Sequence, residues 1–165
     1  MEQISVDFTD LKLLDQLQRD ASLSNQDLAA LVHVSPPTCL RRVKRLRVAG
    51  LIERQIAILN EGAIAAVQGH GLSAIVEITL DRQGIEMLDA FEARVAADAA
   101  VQQCWRVSPG PDFVLVVAAR DMPGYLALAQ RLFNSDANVR NVKAFFSIKR
   151  SKFEPALPLD MSTHA

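Results

Sequence analysis

The sequence predicts an α+β protein with two parts, a small helical domain followed by a domain of alternating strands and helices. The spacing of its apolar residues predicts this. Up to Gly50, leucines recur at helical spacing, whereas from Leu72 onward period-two runs alternate with helical runs. The chain has 165 residues, of which 50% are hydrophobic, which is enough for one ordinary domain or two small ones.

The charge of the chain is unevenly distributed. The formal net charge is only −1, yet residues 1–35 are acidic and residues 36–60 are strongly basic. In the basic stretch, Glu53 opposes Arg41, Arg42, Lys44, Arg45, Arg47 and Arg54. A chain that concentrates its positive charge in this way keeps a basic footprint for a polyanion while staying near neutral overall.

Helix signals mark the first two helices. Asp7 suits an N-cap, and the leucines after it keep helical spacing up to about Arg19. Ser24, followed by Asp27 three residues later, resembles a capping box that opens a second short helix. His33-Val34 then forms a turn.

The third helix, from Ser35 to Gly50, carries its own end signals. Ser35 suits the N-cap, Pro36 suits the first helical position, where its missing N–H would be unpaired anyway, and Gly50 can end the helix. At about 100° per residue an apolar side and a basic side separate. The apolar side comprises Cys39, Leu40, Val43 and Leu46, and the basic side comprises Thr38, Arg41, Lys44 and Arg45, with Arg42 and Arg47 on the flanks.

Two short helices, a tight turn and a basic third helix predict a helix-turn-helix whose third helix faces a polyanion. The alternative is a solvated surface helix, against which the absence of interleaved acids argues. Residues 51–59 are predicted to form a short hairpin or an extended wing.

The second part shows the order strand, helix, strand, strand, helix, strand. This order predicts the split βαβ, ferredoxin-like arrangement. The segments that carry the pattern are Leu72 to Leu80, Ile85 to Val95, Val101 to Val107, Phe113 to Ala119, Tyr125 to Phe133 and Val139 to Ile148, with a turn at Ser108 to Asp112.

These patterns divide the chain into four segments. We expect a winged helix-turn-helix domain at 1–59, a linker at 60–71, a ferredoxin-like domain at 72–151 and an extended, partly disordered tail at 152–165.

The sequence shows no pattern typical of catalysis or metal binding. His33, His70 and His164 fall in a turn, a linker and a tail, without cysteines or carboxylates at ligand spacing. Cys39 and Cys104 are far apart, which indicates two reduced thiols. No apolar run reaches membrane length and the acidic start is no signal peptide. We therefore expect a cytoplasmic protein that is not an enzyme and has no cofactor, metal or membrane partner.

Several motifs in register across both domains resemble the Lrp/AsnC (feast/famine) family of bacterial transcription regulators. The resemblance covers essentially the whole chain. The motifs are Val6-Asp7-Phe8-Thr9-Asp10 with Leu13-Leu14, Leu23 to Ala29, Val34 to Val43, Gly50-Leu51-Ile52, Val76-Glu77-Ile78, Asp112 to Leu115, and Asp121-Met122.

The resemblance implies a first domain that binds double-stranded DNA and a second that dimerises and senses a small molecule, usually an amino acid held at contacts between dimers. Assembly to a tetramer or octamer is also implied. The expected DNA contacts are Ser35, Pro37, Thr38, Arg41, Arg42, Lys44 and Arg45. The expected effector positions are Ser108, Pro109, Gly110, Pro111, Asp112, Met122, Phe145, Phe146 and Ser147.

The chain departs from the family pattern at three places. Pro109 stands where glycine commonly follows the Ser/Thr of the sensing turn, Pro36-Pro37-Thr38 replaces a common Pro-Thr-Pro, and His33 replaces a frequent turn glycine. Prolines lack the N–H that captures an amino-acid carboxylate, so the departures at the sensing turn put the usual ligand in question. Two alternatives stay open at this point. One is an enzyme on the same fold, similar to sirohaem decarboxylases, and the other is a ligand-binding assembly module without regulatory DNA binding.

Overall fold

The chain folds into two compact units. The computed structural model describes residues 5–69 and 71–161. The helical unit comprises the described residues up to Ile58 together with those from Lys152, and the α/β unit runs from Leu59 to Ser151. The residues of the predicted tail therefore group with the helical unit instead of standing apart. His70 and His164, on which part of the metal argument depends, lie outside the described residues.

The helical unit consists of α1 (Phe8–Arg19), α2 (Asn25–Leu31) and α3 (Pro36–Val48). One apolar core holds them together. It comprises Leu13, Leu28, Ala29, Val32, Cys39, Val43 and Leu46. Leucine and valine at helical spacing bury one stripe of each helix, so this part of the fold follows directly from the sequence pattern.

The predicted helix ends are largely confirmed. Asp7 caps α1 in a reciprocal capping box, because its Oδ1 accepts the Asp10 N–H at 2.9 Å and its own N–H donates to Asp10 Oδ2 at 3.1 Å. Ser24 caps α2 by accepting the Asp27 N–H. His33 has a φ of 57°, the left-handed conformation in which glycine is favoured, and Gly50 ends α3 with a φ of 76°.

The segments after α3 differ from the prediction. The described residues from Glu53 to Asn60 form neither helix nor strand, so the predicted wing is not a hairpin. The predicted linker contains α4 (Glu61–Gln68). In the helical unit, the side chain of Gln18 makes two 2.9 Å hydrogen bonds with the backbone N–H and C=O of Leu157, which is why the tail belongs to this unit.

The α/β unit has the predicted strand and helix order. The sheet is antiparallel, with strand order β2-β3-β1-β4, which is the ferredoxin-like arrangement. Its elements after α4 are β1 (Leu72–Leu80), α5 (Ile85–Ala96), β2 (Val101–Arg106), β3 (Phe113–Ala119), α6 (Met122–Ala129), a π-helical turn (Gln130–Asn134) and β4 (Val139–Phe146).

The two faces of the sheet differ in burial. Alternate residues of β1 and β3 pack with α5, α6 and the π-helical turn into one core. On the other face, Ile75 pairs with Val116 of β3 and Phe145 of β4, and Trp105 pairs with Val114. Within one chain, Ile75, Trp105 and Phe145 are exposed. This open face also carries Glu77 and Lys143, which pair at 4.0 Å. No helix of the described residues has the length and apolar character to cross a membrane.

An ion pair in the α/β unit yields a test of pH-dependent stability. The Ala100 N–H and the Arg131 guanidinium both donate to Asp98, and these hydrogen bonds hold the pKa of Asp98 below its ordinary value of 3.8. We expect Asp98→Asn to lose about 1 kcal/mol of unfolding free energy at about pH 7. The stabilisation is present above the unfolded pKa and is lost as the pH falls through the folded pKa, so the difference should be smaller at about pH 3 than at about pH 7.

Urea unfolding followed through Trp105, the single tryptophan, measures this difference. Asp81→Asn is the matched control, since its contact with Arg140 is exposed and 4.0 Å long. An equal loss at both pH values would contradict the ion-pair explanation.

Candidate nucleic-acid interface and effector-binding regions

The outer surface of α3 is the candidate nucleic-acid interface. Cys39, Val43 and Leu46 are buried in the helical core, which turns the opposite side of α3 outward. Leu40, predicted on the apolar side, is 61% exposed, so the buried stripe is narrower than the sequence predicts. Arg41 and Lys44 lie on the exposed surface and form no ion pair within residues 5–69 and 71–161.

The N-terminal end of α3 presents small polar side chains. Ser35 occupies the predicted N-cap position, but its hydroxyl lies 2.9 Å from Thr38 Oγ1 and makes no cap hydrogen bond with a backbone N–H. Pro36 and Pro37 lack the first two N–H groups of the helix, so among the first three positions only the Thr38 N–H could donate to a cap. Asn25 Nδ2 donates to Pro36 O at 2.9 Å and fixes this end of α3 to α2.

Two of the predicted DNA-contacting arginines are paired with carboxylates of the first turn of α1. Arg42 Nη1 lies 2.9 Å from Asp10 Oδ1 and 2.7 Å from Asp7 Oδ2. Arg45 Nη2 pairs with Asp10 Oδ2, and Arg45 Nη1 donates to the Ser5 carbonyl oxygen at 3.3 Å. Asp10 is fully buried, which the sequence analysis did not predict. The only sequence signal was its place in the Val6 to Asp10 motif.

The charges of this cluster stabilise one another. Burial raises the pKa of Asp7, but hydrogen bonds from Arg42 and from the Asp10 N–H outweigh it, so the pKa lies below the ordinary value. Asp7 and then Asp10 raise the pKa of Arg42. Arg42 Nε is buried and has no hydrogen-bond partner among the described residues. The cluster therefore holds two carboxylates of the first turn of α1 and two guanidinium groups of α3 close together in their charged forms.

The predicted effector turn, Ser108 to Asp112, lies between β2 and β3. Asp112 fixes it to the end of β1, because its N–H donates to Ile78 O at 2.9 Å and its Oδ2 accepts the Leu80 N–H at 2.7 Å. Gly110 has a φ of 122°, which requires glycine. Since Pro109 and Pro111 lack an N–H, the backbone donors of the turn left for a ligand are Ser108 and Gly110.

The other predicted effector residues are in β4 and at the start of α6. Phe145 pairs with Ile75 on the open face. There Lys143 Nζ lies 4.8 Å from the centre of the Phe145 ring. Phe146 pairs with Ala74 on the helix-covered face, and its ring meets Tyr125 edge-to-face at 4.9 Å. Successive residues of a strand point to opposite faces, so within a single chain the two rings lie on opposite faces of the sheet.

The predicted effector residues form two separate groups. The turn containing Asp112 contacts the Ile78 to Leu80 end of β1, whereas Phe145, Phe146 and Ser147 lie beside its Ser73 to Ile75 end. Met122, which is 43% exposed, is the first residue of α6 and follows the end of β3. That end of β3 pairs with Leu72, so Met122 belongs with the group at the start of β1. About four to six strand residues, roughly 13–20 Å, separate the two groups. One chain therefore does not bring them together.

The described residues offer no metal centre and no activated thiol. No group of three or more His, Cys, Asp or Glu within 5–69 and 71–161 is placed to hold a metal ion. Burial raises the pKa of the Cys39 and Cys104 thiols, which disfavours the nucleophilic thiolate.

A helix-turn-helix with an outward basic helix, followed by a ferredoxin-like unit, defines a DNA-binding protein with an accessory domain. Residues 6–47 match the AsnC-type helix-turn-helix domain, and residues 73–157 match the Lrp/AsnC ligand binding domain. The chain belongs to the Lrp/AsnC family. Members of this family are transcriptional regulators and not enzymes, which rules against the decarboxylase alternative.

Named relatives agree with this assignment. The leucine-responsive regulatory protein of Rhizobium meliloti is 33% identical over 91% of this chain and 94% of its own length. The transcriptional activator DecR of Escherichia coli is 32% identical over 94% of this chain and 99% of its own.

Solved structures agree as well. An AsnC family regulator of Agrobacterium tumefaciens has a TM-score of 0.83 at 29% identity, covering 95% of this chain and 99% of that one. A regulator of Neisseria meningitidis, solved as a complex with L-Met, has a TM-score of 0.82 at 28% identity, covering 94% of this chain and 98% of that one.

The anchoring of the effector turn can be tested by removing the Asp112 carboxylate. We expect Asp112→Ala to lower the unfolding free energy of the α/β unit by about 1–2 kcal/mol, because the Leu80 N–H loses its acceptor. Asp112→Asn keeps an acceptor oxygen and should retain most of the stability. Urea unfolding of both variants measures the effect, and equal losses would show that the hydrogen bond does not anchor the turn.

Proposed function

We propose that this regulator acts in the cytoplasm by placing α3 in the major groove of specific DNA sites, under control of an amino acid or related metabolite. The observation that carries the proposal is the exposed Arg41 and Lys44 face of a helix whose opposite side is fixed in a core. Such a helix meets a polyanion without losing its own packing. We assign this role to the 1–59 segment.

The contacts divide by chemistry. Arg41 and Lys44 neutralise phosphates, while Ser35, Pro37 and Thr38 lie at the N-terminal end of α3, the end that reaches base edges in helix-turn-helix proteins. Phosphate contacts position the helix and base contacts give specificity. A dimer presents two copies of α3, which fit half-sites about 34 Å apart.

The separation of the two effector groups supports a binding site between copies of the chain. A pocket lined by both Asp112 and Phe145 requires them to come from different chains, since about four strand residues, roughly 13 Å, lie between them in one. The exposed apolar side chains of Ile75, Trp105 and Phe145 on the open face support pairing of two α/β units into a homodimer, with further assembly to a tetramer or octamer. The L-Met complex of the Neisseria relative supports an amino-acid effector.

The DNA interface is tested by salt dependence. We expect Arg41→Ala and Lys44→Ala each to weaken binding several-fold and to lower the slope of log affinity against log salt by about 0.9, the value of one lost phosphate contact. The probe is a duplex that the wild-type protein selects from a randomised pool, and fluorescence anisotropy gives the affinities.

Arg120→Ala is the matched control, because Arg120 is equally exposed but lies in the α/β unit, outside the proposed interface. Unchanged slopes for both α3 variants would contradict the assignment. Failure of the wild-type protein to select any duplex would favour the ligand-binding assembly module.

The effector is tested by sedimentation with each of the common amino acids, in the presence and absence of the selected duplex. We expect one or a few to change the assembly state or the DNA occupancy, because a ligand shifts an equilibrium only by binding one arrangement more tightly. The D-enantiomer of an active amino acid is the control. Intact DNA binding with no response to any of them would contradict amino-acid control.

A further inference from the structure

We propose that Asp10 is a positioning residue for DNA recognition, which holds the half-buried Arg42 and the more exposed Arg45 against α1 so that α3 keeps the rotation that presents Arg41 and Lys44. The inference rests on the proposed function and changes the role of two arginines that the sequence predicts as DNA contacts. It assigns them to the docking of α3 on α1.

The contacts form a closed network between the first turn of α1 and the middle of α3. Arg42 bridges Asp7 and Asp10, and Arg45 bridges Asp10 and the Ser5 carbonyl. Asp10 also accepts the Asp7 N–H. Both Asp10 oxygens are therefore engaged, by two guanidinium groups and one backbone donor.

The burial of Asp10 makes these pairs costly to break. A fully buried carboxylate is tolerated when it is paired and hydrogen-bonded, and removal of its partner leaves an uncompensated charge. If Arg42 left Asp10 to bind a DNA phosphate, it would form one solvent-exposed ion pair but leave the buried Asp10 carboxylate with one guanidinium partner fewer. For this reason Arg42, whose side chain is 24% exposed, stays with Asp10 when DNA binds.

Helix geometry converts this anchor into an orientation. Arg42 and Arg45 are three residues apart and therefore lie on the same side of α3. Arg41 and Lys44 are also three residues apart and share a second side, which is rotated by about 100° from the first. Fixing the first pair against α1 therefore sets the direction of the second pair. Arg47, which contacts Gln55, is not part of the anchor.

Asp10→Asn distinguishes positioning from the opposite role, in which Asp10 withholds the arginines from DNA. The affinities for the selected duplex and for random-sequence DNA are measured at low temperature on protein whose circular dichroism matches wild type. We expect specific affinity to fall roughly tenfold or more, the size of a lost base contact, while random-sequence affinity does not fall, because a negative charge is removed.

Each other outcome overturns the proposal. Tighter specific binding would show that Asp10 competes with DNA for the arginines. Unchanged specific binding of the folded variant would reduce Asp10 to a purely structural role. Asp15→Asn is the matched control, since Asp15 pairs with Arg19 within α1 rather than with an arginine of α3 and should leave both affinities unchanged.

A second measurement uses the wild-type protein and so does not depend on folding of the variant. We expect the side-chain NMR signals of Arg42 and Arg45 to stay in place when the selected duplex is added, while those of Arg41 shift. Shifts of Arg42 and Arg45 comparable to that of Arg41 would overturn the proposal. An error in the proposed DNA-binding function can be distinguished from an error in the role of Asp10, because the wild-type protein itself would then fail to select any duplex.

Discussion

The buried carboxylate of Asp10 constrains the whole helical unit. A charge without exposed surface must be paired and hydrogen-bonded, and here the partners come from the middle of α3. Arg42 and Arg45 reach it when α3 lies in one rotation against α1. The contacts that satisfy Asp10 therefore act together with the buried Cys39, Val43 and Leu46 to set which side of α3 is free to meet DNA.

Strand alternation is the corresponding constraint in the α/β unit. Because successive residues point to opposite faces, Phe145 lies on the open face and Phe146 packs on Tyr125 beneath the helices. Antiparallel pairing also puts the Asp112 turn and the end of β4 at opposite ends of β1. A site that uses both ends of β1 therefore needs more than one chain.

Local signals predicted most of the fold. Caps, turns and periodicities involve residues within a few positions of one another, so Asp7, His33 and Gly50 were assigned correctly from their neighbours alone. Of the two forms predicted after α3, a hairpin or an extended wing, the hairpin is absent, because an apolar run such as Ile56 to Leu59 does not by itself supply a pairing strand. The prediction that Leu40 lies on the buried side of α3 was wrong, because a small core buries a narrower stripe of the helix than the amphipathic pattern suggests.

The sequence by itself determined the order of helices and strands, the basic character of α3 and the family, because these depend on local spacing and on motifs in register. The tertiary structure decided how the individual charges and rings are used. Arg41 and Arg42 are adjacent and chemically identical, yet one faces outward and the other meets a carboxylate 32 residues away in the chain. Nothing in the local sequence distinguishes them, because the difference arises from the packing of α3 against α1.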